Sequence, residues 1–229
     1  MTSQQNKGLR ITAIVLMGLA ASMNILGGIG TVCAAFLTKN FPPMWVFFDY
    51  QLEYRTLMIT TIIIGILCVW SVMSLIRGGK NAFRNAVILL VVGSIVAGIQ
   101  FYLSLQIRGK ATPANVKFFS NFVPLLFFLA LGLPGIRGRV NFSDSGTGSD
   151  RSTAGGLAAI VAGIIVITAS IWIGPSHTFE GVNWVHVLRT PLIVGGAILT
   201  MSGLAWMLWT ALDMSFPGTN RRFIEDKKR

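Results

Sequence analysis

Both histidines of this 229-residue chain, His177 and His186, fall in one short connection, and Glu180 stands three residues after the first. Imidazole nitrogens and carboxylates are the ligands of many zinc and transition-metal sites. Asp49 and Glu53, in an earlier connection, would add two carboxylates if both connections reach the same face of the molecule. A two-histidine, carboxylate metal site is therefore the one metal chemistry these residue types allow. Their spacing matches no established zinc signature. No metal site is assigned, and His177, Glu180, His186, Asp49 and Glu53 are the residues from which one would be drawn. A bis-histidine haem would need one histidine on each of two facing helices, so no cofactor is expected. No hydrolase arrangement of nucleophile, base and acid occurs either, and no catalytic residue is assigned.

A second set of polar residues lies inside apolar runs. Asn24, Gln100 and Asn121 each carry a carboxamide where no water is expected. Such groups either hydrogen-bond across helices, for about 0.6–2 kcal/mol each, or line a polar cavity. Cross-helix bonding is the favoured reading. Gly27, Gly28 and Gly30 flank Asn24, and Ser94 and Gly98 accompany Gln100. Small residues at this spacing let helix backbones approach closely. Pro124, in the middle of the fourth run, is expected to kink it and to free the carbonyl of Ser120.

These residues must be positioned by membrane-spanning helices. The chain is 53% hydrophobic and 12% charged, about half the charge of a typical soluble domain. Its charges sit in short segments between long uncharged runs, the pattern of bilayer spans. The expected fold is all-α, an integral membrane bundle of six transmembrane helices at about 11–37, 56–76, 85–107, 118–136, 154–173 and 190–212. Residues 1–10 form the N-terminus, 11–212 the membrane domain and 213–229 a basic tail. As drawn, no span contains Asp, Glu, Lys, Arg or His, which argues against proton relays and intramembrane ion coupling. The Ser/Gly/Asp-rich stretch 140–153 is expected to be flexible.

The net charge of +11 brings nucleic acid to mind, but the basic residues cluster at span ends and form no stripe with interleaved aromatics. No nucleic-acid partner is expected. Thirteen of the 19 Lys and Arg residues fall on the side of the termini and six on the other. The positive-inside rule then places both termini in the cytoplasm, in a multi-pass plasma-membrane protein. Cys33 and Cys68 lie at different depths and read as unpaired thiols.

The first outer connection is the densest in aromatics, with Phe41, Trp45, Phe47, Phe48 and Tyr50 after Lys39 and before Arg55. It is expected to form a short interfacial or re-entrant segment near residues 43–54 and to pack against residues 174–189. For function, the first expectation is a non-enzymatic accessory or scaffold component of a membrane complex. Its partners would be the lipid bilayer and other membrane subunits or a second copy of the chain. The alternative is permeation or transport of a neutral or weakly charged solute through Asn24, Gln100 and Asn121. The third is a metal or cofactor protein using the outer histidines.

Overall fold

A computed structural model describes residues 6–40, 42–143, 146–179 and 181–215, without the side chains of residues 42, 43, 176, 179, 184 and 213–215. Among the described residues the regular structure is helical apart from a small hairpin that pairs Thr178–Phe179 with Val182–Asn183. Six long helices carry the fold: α1 (Lys7–Gly30), α2 (Gln51–Arg77), α3 (Ala82–Arg108), α4 (Ala114–Leu131), α5 (Gly148–Ile167) and α6 (Arg189–Ser215). All six are long and apolar enough to cross a membrane.

The helices alternate in direction. One end of the bundle, the near end, gathers the start of α1, the α2–α3 turn and the start of α5. There Asn6 Oδ1 accepts from Leu9 N at 3.2 Å and caps α1. Arg10 reaches across and donates from Nη2 to the Leu75 and Ile76 carbonyls at 3.1 and 3.2 Å. Those carbonyls belong to the last turn of α2, where the helix itself has no donors left. Thr210 Oγ1 donates to Ser152 Oγ at 2.7 Å, which brings the end of α6 to the start of α5. Gly78 and Gly109 close α2 and α3 with φ of 73° and 63°, left-handed caps that glycine adopts without steric cost.

α1 is the central post. It packs on α2, α4 and α5, while α3 packs on α2 and α4. Its buried face holds Ile14, Met17, Ala20 and Ala21 against Ile64, Cys68 and Leu75. α6 rests on α5 at the rim. In this pair the Gly203 side of α6 meets the Gly156 carbonyl, 2.5 Å from where a Cβ would stand. Elsewhere α6 turns Ile198, Met201, Leu208 and Trp209 outward.

Two expectations are revised. The stretch 140–153 is largely built rather than loose, within its described residues. Phe142 is buried and stacks on Phe83 at 5.4 Å. Thr147 and Asp150 form a reciprocal capping box that starts α5 six residues earlier than the apolar run alone indicates. A Thr-x-x-Asp pair opening a helix is a sequence-level signal, and Lys7 strengthens it with an ion pair to Asp150 at 3.1 Å. Pro124 lies inside α4, which is helical through Leu131. Finally, α4 begins at Ala114, so Lys117 lies inside a helix that counts among the six apolar spans.

The aromatic connection of residues 42–50 winds in 3₁₀ turns and runs directly into α2. It packs on the short helix Val32–Phe36 and on the far ends of α2 and α3. Phe47 is buried against Tyr54, with ring centroids 4.6 Å apart. Trp45, Phe48 and Tyr50 stay exposed. Phe41 and the side chain of Trp184 lie outside the described residues.

Candidate functional site: a buried lysine beneath a far-end cavity

The buried stripe of α4 reads Ala114, Lys117, Asn121, Pro124, Leu125, Phe128 and Leu131. Steps of three and four residues put these on one face of a helix. That face looks at α1 and α3, so Lys117 and Asn121 are carried into the bundle with the hydrophobes.

Asn121 meets Asn24 of α1. Asn24 Nδ2 donates to Asn121 Oδ1 at 2.8 Å, and Asn121 Nδ2 donates back to Asn24 Oδ1 at 3.3 Å. Each amide also donates to its own helix one turn earlier, Asn24 to the Ala20 carbonyl at 2.8 Å and Asn121 to the Lys117 carbonyl at 2.9 Å. Both N–H bonds of both amides are thereby used. The pairing to carbonyls fixes which way each amide faces. Asn24 and Asn121 are 1% and 0% exposed, so a half-made pair here would leave a buried polar group unsatisfied.

One turn toward the far end, Lys117 is 4% exposed. Its Nζ donates to Thr61 Oγ1 of α2 at 3.1 Å and to Gln100 Oε1 of α3. Gln100 Nε2 donates to Thr31 Oγ1 at 3.0 Å, and Thr31 donates to the Gly27 carbonyl at 2.6 Å. Four elements are joined by one directed chain of hydrogen bonds that starts at an ammonium. Among the described residues no carboxylate lies within 4 Å of that ammonium; the ion pair found there is Lys7–Asp150. An ammonium has three N–H donors, and two have protein acceptors.

Lys117 is one of the residues lining a cavity of about 70 Å³ at the far end. Polar groups on its wall come from Thr31, Gln100, Ser104, Arg108, Lys117 and His177, and Tyr54 donates or accepts with Ser104 at 3.1 Å. Apolar groups come from Met23, Leu26, Met44, Phe47, Trp172 and Ile173. Cys33, a free half-buried thiol, also faces it. Both aromatic connections therefore contribute to its wall, Met44 and Phe47 from the first and His177 from the second. His177 ring nitrogens lie 3.2 Å from the Ile173 carbonyl and 3.4 Å from the Gly30 carbonyl. Arg108 lies over the Phe47 ring at 5.7 Å.

The other residues singled out in the sequence distribute as follows. Gly28 packs against Ile62 of α2, and Gly98 stands 3.5 Å from Phe118 by its would-be Cβ, whereas Gly30 has open space there. Ser94 is buried, with no hydrogen-bond partner for its hydroxyl among the described residues. Asp49, Glu53 and His186 are exposed, and Glu180 lies outside the described residues. Among the described residues no three His, Cys, Asp or Glu side chains are grouped as metal ligands. Lys117 and Thr61 were not marked in the sequence, although the stripe shared with Asn121 and Phe128 is the signal that finds Lys117. Comparison with protein-family models, with curated proteins and with solved structures finds no match, so the functional reading rests on this geometry.

Proposed function

We propose that this chain is a multi-pass integral membrane protein that binds a small solute in its far-end cavity, in a permeation or solute-sensing role. The near end, where α1 starts and α6 ends, faces the cytoplasm, and the cavity opens outward. The outer faces of the helices support the membrane setting: Ile63, Ile66, Trp70, Ile95 and Leu126 are exposed and apolar. The excess of basic residues at the near end supports the orientation.

The observation that carries the solute reading is Lys117. A lysine at the centre of a membrane span costs about 2.5–3.5 kcal/mol by insertion measurements, and Lys117, the fourth residue of α4, bears a smaller part of that cost. A methionine would fill the same space without that cost. Here the charge is held by two oxygen acceptors, without a carboxylate among the described residues, and Lys117 lines a cavity of about 70 Å³. An ionisable group inside a membrane span is by default a functional-site hypothesis. The test is osmotic: vesicles containing the purified protein are shrunk with a panel of small solutes and their re-swelling is followed by light scattering. Faster re-swelling than protein-free vesicles for one solute, or a solute-induced rise in melting temperature, is the expected result. Rates and temperatures unchanged across the panel would sink the reading.

The accessory role has separate support in α6, which rests on α5 and exposes a long apolar face. Crosslinking from Trp209→Cys in membranes would identify a partner helix on that face if one is present.

A further inference from the structure

We infer that the occupant of the cavity is a short-chain monocarboxylate, of formate or acetate size, held by the third N–H of Lys117. This rests on the solute-binding reading and sharpens it. The charge on the wall is one-signed: Lys117 and Arg108 are its cations, and no carboxylate lines it among the described residues. Nζ gives two donors to Thr61 and Gln100, and the remaining one has no acceptor among the described residues. An anionic oxygen is the strongest acceptor such a donor can take. The Ser104 and Tyr54 hydroxyls supply neutral polar contacts on the same wall.

Size and polarity narrow the class. About 70 Å³ is roughly half of a cavity that holds benzene, which favours an occupant of a few heavy atoms. A dianion would need a second desolvated cation, yet Arg108 is only half-buried and lies on Phe47. Met23, Leu26 and Ile173 give the wall an apolar part, which suits a methyl group and gives nothing to a halide.

Cys33 faces the same cavity and reports its occupancy without any substitution. The purified protein in chloride-free buffer at pH 7 is treated with anionic and cationic thiol reagents, each rate normalised to that with free cysteine. The anionic reagent should modify Cys33 at least 10-fold faster. Acetate should slow the modification several-fold, while acetamide of the same shape and chloride of the same charge should not. Protection by acetamide equal to that by acetate would overturn the anion assignment and leave the solute site standing. Equal protection by chloride would overturn the carboxylate assignment. No protection by any of them, or no modification of Cys33 at all, would overturn both readings. Lys117→Met should abolish acetate protection and the preference for the anionic reagent. If that variant does not fold, the wild-type reagent ratio and the acetate–acetamide pair still decide.

Discussion

Gly27 of α1 lies directly under the Lys117 side chain: a Cβ on Gly27 would stand 2.7 Å from Lys117 Cδ. The absence of a side chain at position 27 is what gives the lysine stem its channel across α1. Gly27→Ala should therefore destabilise the protein by about 1–3 kcal/mol, as overpacking does. The loss should largely vanish in a Lys117→Ala background, where Cδ is gone. Thermal unfolding of the four proteins in detergent checks this. Equal losses in both backgrounds would mean that the glycine serves α1 for another reason.

Asn24 and Asn121 should behave as one unit. Asn24→Ala and Asn121→Ala, singly and together, form a double-mutant cycle in which the coupling is expected at about 0.6–2 kcal/mol. The second substitution should be the milder one, because the first has already stranded its partner. Additive losses would show that each amide is satisfied by its own helix carbonyl alone.

Arg10 closes the last turn of α2 from another helix. Replacing it by methionine keeps much of the stem and removes both hydrogen bonds to Leu75 and Ile76. Bonds to charged groups contribute about 1.5–3 kcal/mol, so a loss of that order is expected, with faster proteolytic cutting in the 78–81 turn. A stability equal to wild type would reduce Arg10 to a packing role.

Orientation is testable at two exposed lysines, Lys80 in the near-end turn and Lys110 in a far-end turn. In a background with Cys33→Ser and Cys68→Ser, Lys110→Cys should react with an impermeant thiol reagent on intact cells and Lys80→Cys should not. The reverse pattern would invert the bundle and turn the cavity toward the cytoplasm.

The six long helices were legible because each is an uncharged run bounded by charges, a signal that survives any error in tertiary reasoning. The same rule concealed the site. Treating Lys117 as the boundary of the fourth run moved the start of α4 four residues too late, and the bundle then seemed free of ionisable groups. Asn24, Gln100 and Asn121 were visible as buried amides, but their partners were not. Gln100 turned out to bridge Lys117 and Thr31, a relation set by helix rotation and not by sequence distance. Both aromatic connections were legible as features of the far end. That Met44, Phe47 and His177 share one cavity wall, with Phe47 alone of the described 45–50 rings buried, is set by tertiary packing.

The length of α4 has a consequence for the lipid around it. With 18 residues it extends about 27 Å, against about 40 Å for the 27 residues of α2 and of α3. A hydrocarbon layer of about 30 Å is thicker than α4 and thinner than its neighbours. Set in a bilayer, α4 draws the lipid surface inward on its own side, by the ordinary response to hydrophobic mismatch. Lys117 is the fourth residue of that helix. The thinned flank brings headgroups and water down to its level, so a charge that looks deep on the scale of α2 lies within a helical turn of the aqueous boundary.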